Sequence, residues 1–311
     1  RVRTQRSRLG LTIFVIVLLD LALEVVVFLG LPLPFPTLGQ IIARGLGGGG
    51  GAVLEGIAFE PLPYVSYGLT PDYERQRPRK DMPLKTSNSH GFRGPEIPLA
   101  KPAGAFRIVC LGGSTTYSDA VGDDETYPVH LEAILREKRP DQRIDVINAG
   151  VPSYTSAESL ANLAFRCLEF EPDMIVVYHA ANDVRPRRYA DFEPSYFHYR
   201  KVWDGSDRLR QTGAGDMAGG MNQYIQWLPP EDNGDPLANL DRNGSGAFRR
   251  NLVSIVGLAR AHGIEPVLTT FAAKGPDPAT DPGLIQGIDE HNAAIRSVAA
   301  EHGVTLVDVN G

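Results

Sequence analysis

The hydrophobic positions follow two regimes. From Leu9 to Leu31 the chain is apolar at nearly every position, whereas from Phe106 onward short apolar runs alternate with amphipathic stretches. The runs are Arg107–Leu111, Ile144–Asn148, Met174–His179, Glu265–Thr270 and Thr305–Val309. Rich in Val, Ile and Leu, they read as strands. Between them the apolar residues recur at helical spacing. One stretch aligns Tyr127, Leu131, Ile134 and Leu135. A second opens with a capping box, Thr155 to Glu158, and aligns Leu160, Leu163, Ala164 and Cys167. A third carries Phe248, Leu252, Ile255, Val256 and Ala259 and stops at Gly263. The fourth carries Ile288, Asn292, Ile295 and Val298 and stops at Gly303. Strands separated by helices predict a three-layer α/β/α domain around a five-stranded parallel sheet. In such sheets ligands bind at the carboxyl ends of the strands.

The first regime predicts a single transmembrane helix over residues 9–31. At 1.5 Å per residue it spans about 34 Å, enough for a hydrocarbon core of about 30 Å. Arg1, Arg3, Arg6 and Arg8 precede it, which makes residues 1–8 a cytoplasmic basic tail and places the later domain on the exported side of an inner membrane, periplasmic in a Gram-negative cell. No small-residue cleavage site follows; Leu31-Pro-Leu-Pro-Phe-Pro36 does. Asp20 and Glu24 lie inside the apolar run, four residues apart and so on one helical face. An ionised Asp at mid-membrane costs about 2.5–3.5 kcal/mol. Either both carboxyls are protonated, or this face packs against another integral membrane protein.

Residues 32–87 have little periodicity and include a five-glycine run, Gly47 to Gly51. They predict a flexible linker and an extended surface segment before a domain at 88–311. A long insertion, 183–245, follows the third strand and contains Trp203, Trp227 and the glycines Gly213, Gly215, Gly219 and Gly220. Loops of that length inside a compact domain are usually functional.

Composition narrows the chemistry. The chain has 311 residues, 42% hydrophobic and 22% charged, with a net charge of −6 and no basic block in its body. Non-specific binding of nucleic acid through phosphates is therefore not expected. The two cysteines, Cys110 and Cys167, exclude a disulfide scaffold. His, Asp and Glu show no metal-ligand spacing, and no cofactor is implied.

Three strand ends carry unusual residues: Gly112-Gly-Ser114-Thr-Thr116, Asn148-Ala-Gly150-Val-Pro152 and Ala180-Ala-Asn182-Asp183. A serine on a glycine-lined turn can project its hydroxyl. A glycine lets a backbone N–H approach a ligand, and an asparagine amide can donate to an oxyanion. Singly, each is equally a turn or a cap. Together and in this order they resemble the SGNH (GDSL-like) hydrolases, over about Phe106 to Gly311. Upstream, Asn88-Ser-His-Gly91-Phe92-Arg93-Gly94 resembles the segment preceding this domain in membrane-anchored bacterial members. The resemblance implies a flavodoxin-like sheet and an acyl-serine mechanism of ester hydrolysis or acyl transfer. Ser114 would be the nucleophile, and the N–H groups of Ser114 and Gly150 with the Asn182 side chain the oxyanion hole. An acylated carbohydrate or another small ester would be the substrate.

The sequence departs from the family pattern twice. Ala180 stands where a Gly usually opens the Asn-containing block, and the family's Asp-x-x-His after the final strand does not occur up to Gly311. His291 follows Asp289 but falls on a helix face, and His179 closes the third strand too near Asn182 for the family's geometry. Three expectations follow. In one, the protein is a membrane-anchored esterase or acyltransferase whose Asp/His pair lies beyond residue 311. In another it is an inactive accessory subunit of a larger membrane complex, for example a respiratory or photosynthetic one, held through its transmembrane helix and insertion. In a third, the same cleft binds carbohydrate.

Overall fold

A computed structural model of the chain describes residues 59–74, 84–200, 233–272 and 281–310. All of them belong to one compact unit, Gly56–Gly311. The expected membrane helix with Asp20 and Glu24, and the glycine run, lie outside the described residues. No described helix is long and apolar enough to cross a membrane.

The five apolar runs pair as one parallel sheet: β3 (Phe106–Gly112), β4 (Ile144–Gly150), β5 (Met174–Tyr178), β6 (Glu265–Thr269) and β7 (Thr305–Val307), in the order β4-β3-β5-β6-β7. An antiparallel hairpin, β1 (Phe59–Leu62) and β2 (Val65–Leu69), precedes it. Because side chains alternate along a strand, β3 feeds two cores. Val109 and Leu111 face one layer with Ile147, Ala149, Ile175, Val177 and Leu268. That layer is closed by α3 (Ser156–Phe165), α6 (Gly246–Ala261) and α7 (Pro282–His302) through Leu163, Phe248, Leu252, Ile255, Ile295 and Val298. Ile108 and Cys110 face the other, where Tyr127, Leu131 and Leu135 of α2 (Tyr127–Lys138) pack.

The fold class and the helix faces thus follow the apolar spacing, with three differences. Ile134, expected on the buried face of α2, is 50% exposed, because the sheet contacts only the stripe at 127, 131 and 135. Residues 59–69, expected as linker and surface chain, form a packed hairpin instead. Tyr67 and Phe59 are buried in a third core with Tyr117, Tyr154 and Tyr199, and the Tyr67 hydroxyl donates to Pro152 O at 2.6 Å. Aromatic residues spaced around a two-residue turn bury through distant partners, which a local periodicity does not register. The described parts of the insertion carry regular structure: the end of α4 (Ala181–Arg187), a short 3-10 turn at Phe197–Tyr199, and α5 (Pro236–Arg242). Trp203, Trp227 and the four glycines lie outside the described residues.

From β3 the chain passes to β4 on one side and then to β5 on the other. The sheet therefore changes direction at the carboxyl end of β3, the position where parallel sheets open a crevice.

Candidate active site

Ser114 lies in that crevice. It is the first residue of α1 (Ser114–Tyr117), a single helical turn capped by Gly113, and it is exposed. The first N–H groups of a helical turn have no intrahelical acceptor, so the Ser114 amide is of the kind that serves an incoming oxyanion. A cavity of 850 Å³ opens beside it, lined by Ser114, Ser118, Val121, Tyr127, Tyr178 and Val309 among others. The lining residues come from the ends of β3, β5, β6 and β7, so one pocket gathers residues almost 200 positions apart. Its walls are mainly apolar, and the Tyr178 ring stacks on Phe271 at 5.0 Å.

Asn182 reaches the same turn. Its Nδ2 donates to Tyr154 O at 2.9 Å, and a Cβ placed on Gly113 would fall on that amide. A side chain at position 113 would displace the Asn182 amide from beside the turn, which explains glycine there. The structure therefore brings Ser114 and Asn182 together across the β3 and β5 ends. The turn carrying Asn182 is held from behind by α7. His291, fully buried and stacked on Phe248 at 4.2 Å, lies 2.9 Å from Ala180 O through Nδ1 and 3.1 Å from Arg187 Nη1 through Nε2. Burial and the adjacent Arg187 lower its pKa to about 3, so it is a neutral structural ring.

Gly150 is not placed as an open donor. Its N–H donates to Asn148 Oδ1 at 3.0 Å, and a Cβ on it would meet the backbone of Thr116 and Tyr117. Its lack of a side chain lets β4 pass close beneath α1. A lone glycine at a strand end does not reveal which way its N–H points; the Asn148 side chain decides that.

His179 does not stand in for a base either. It is buried, its Nε2 is 2.7 Å from Ser159 Oγ and its Nδ1 3.9 Å from Asp183 Oδ2. Burial lowers its pKa to about 4. Among the described residues no histidine lies within hydrogen-bonding distance of Ser114. Asp183 itself, next to Asn182, accepts from Ser156 N and Oγ, the latter at 2.6 Å. Burial outweighs these bonds and raises its carboxyl to about 7. The sequence signal for this cluster was slight, a Ser at a helix start and an Asp at another, and only packing joins them.

Among the described residues no group of His, Cys, Asp and Glu is placed to hold a metal ion. The site offers an accessible hydroxyl, a helix-turn amide and a carboxamide beside an apolar cavity. That set can receive an acyl group and stabilise an oxyanion; the carboxylates of Asp119 and Glu125 also line the cavity, and no described histidine bonds to Ser114.

A sequence profile of the GDSL-like lipase/acylhydrolase family matches residues 110–311. Among solved structures, a lipase/acylhydrolase from Enterococcus faecalis is 20% identical, with 66% of this chain and 76% of that chain covered at a TM-score of 0.39. An alpha/beta hydrolase from the metagenome of Lake Arreo, Spain, is 20% identical over 67% and 78% of the two chains at a TM-score of 0.41. An acetyl xylan esterase variant from Geobacillus stearothermophilus is 16% identical over 66% and 77% at 0.40. No curated protein matches.

Proposed function

Since the chain belongs to the GDSL-like lipase/acylhydrolase family, we propose that it is a serine esterase or acyltransferase in which Ser114 is the nucleophile, the domain being carried on the exported side of a membrane by the helix expected at residues 9–31. The observation that carries this reading is the exposed Ser114 at the mouth of the 850 Å³ cavity, with Asn182 against Gly113. In the first half-reaction Ser114 Oγ bonds to the ester carbonyl carbon and its proton passes to a base. The oxyanion is met by the Ser114 N–H and the Asn182 amide, a pattern in which one donor is worth about 10²–10³ in rate. The alkoxide leaves with a proton, and water or an acceptor hydroxyl then takes the acyl group from serine. An Asp/His pair supplied by residues following Gly311 would be the base, and an acylated carbohydrate or small ester the substrate.

The experiment is labelling of the full-length protein with a fluorophosphonate. Labelling of the wild type and its loss in Ser114→Ala is expected. An intact, folded full-length protein that takes no label would overturn the reading. In that event the accessory-subunit alternative takes over, favoured by the absence of a histidine within hydrogen-bonding distance of Ser114 among the described residues. It predicts that the protein copurifies in mild detergent with another integral membrane protein.

A further inference from the structure

The segment upstream of the sheet grips the loop that borders Ser114. Arg93 is 3% exposed, and its guanidinium reaches the chain just after α1. Its Nη1 donates to Tyr117 O and, at 2.7 Å, to Ser118 O; its Nη2 donates to Val121 O at 2.6 Å. Nε donates to the Asp123 carboxylate at 2.9 Å, and the guanidinium carbon lies 4.5 Å from the centre of the Tyr117 ring. Lys85, 5% exposed, donates to the backbone carbonyl of Asp119 and, at 2.7 Å, to its carboxylate. Thr86 adds its N–H and its hydroxyl to Asp123 Oδ2, both at 2.8 Å, and Asp123 N–H returns a bond to Leu84 O at 3.1 Å.

A surface loop ordinarily turns its carbonyls to water. Here the carbonyls of Tyr117, Ser118, Asp119 and Val121, and the carboxylates of Asp119 and Asp123, are all taken up by Lys85, Thr86 and Arg93. Ser118 occupies the left-handed region, φ 61°, a conformation a non-glycine residue keeps only when its surroundings hold it. The rigid fork of an arginine can meet three carbonyls at once, which a lysine in the same place cannot. Ser118, Asp119, Ala120 and Val121 together make one wall of the cavity beside Ser114.

We propose that Arg93 and Lys85 are positioning residues that hold the 118–121 wall at a fixed distance from Ser114, so that the segment before the sheet, and not the sheet alone, sets the space a substrate occupies. This rests on Ser114 as nucleophile, and the clamp itself can be read without any reaction.

The test uses the full-length protein with Arg93→Lys and, separately, Lys85→Met. Amide hydrogen exchange at Ser118, Asp119 and Val121 is expected to quicken by about tenfold or more in each, with Phe106–Gly112 and Ile144–Gly150 unchanged. The fluorophosphonate labelling rate of Ser114 should fall by about tenfold, within the loss a misplacement of about 1 Å produces. Unchanged exchange at 118–121, or equal quickening throughout the domain, overturns the clamp. A loosened loop with an undiminished labelling rate overturns the positioning role. If wild-type protein takes no label, the nucleophile reading has failed instead, and the exchange measurement still decides the clamp.

Discussion

Asp183 and Asn182 are neighbours with opposite surroundings. Asn182 is half-buried at the edge of the cavity turn, while Asp183 is fully buried against Ser156. The sign of the Asp183 shift makes a prediction. A carboxyl raised from 3.8 to about 7 binds its proton more tightly in the folded state. It contributes stability below its unfolded value, and that contribution is lost as pH rises to about 7. His179 and His291 act in the opposite direction. Lowered from 6.5 to about 4 and about 3, they contribute stability present above 6.5 and lost as pH falls. Substituting Asp183→Asn therefore changes stability in a pH-dependent way: relative to wild type the variant gains between about pH 4 and about pH 7 and levels off above. Urea unfolding of both proteins across that range measures the difference. A constant difference would mean that the folded protein does not hold the Asp183 proton.

At the scale of elements, α3 illustrates how a local signal and a distant one combine. The capping box is formed as the residue pattern predicts: Thr155 Oγ1 accepts from Ala157 N, and the Glu158 carboxylate accepts from Thr155 N at 2.8 Å. Its pairing with Arg200, at 2.5 and 2.6 Å, has no counterpart in the sequence pattern. Burial opposes the Glu158 charge, yet the guanidinium of Arg200 prevails and holds the carboxyl below its ordinary value. The pair joins the helix start to the far side of the 3-10 turn at Phe197–Tyr199. Replacing Arg200 by Met leaves a buried, unpaired carboxylate, and the expected loss is about 3–5 kcal/mol in urea unfolding. Adding Glu158→Gln to that variant should recover part of it; a loss below about 1 kcal/mol would mark the pair as no stronger than a surface bridge.

For the whole molecule, the apolar run at residues 9–31 and the arginines before it predict that the full-length chain stays in the membrane pellet through an alkaline carbonate wash. Release by that wash would overturn the anchor. Within the folded unit, the parallel sheet, its helices and the placement of Ser114 and Asn182 at strand ends were legible in the sequence. Periodicity and caps are local properties, and a strand end is where a parallel sheet presents side chains to ligands. The buried hairpin at 59–69 and the orientation of the Gly150 N–H were not legible. Nor were the Asp183–Ser156 bonds and the grip of Arg93 on Tyr117, Ser118 and Val121. Each joins residues or atoms whose encounter depends on chain direction and side-chain rotamer, quantities that the spacing of apolar residues does not carry. The sequence by itself determined the layers and which residues stand at the strand ends, because burial of an apolar face follows from its spacing. Only the tertiary structure decided which donors remain open and which wall closes on Ser114, because hydrogen bonds are directional and each polar group is satisfied by whichever partner packing brings into reach.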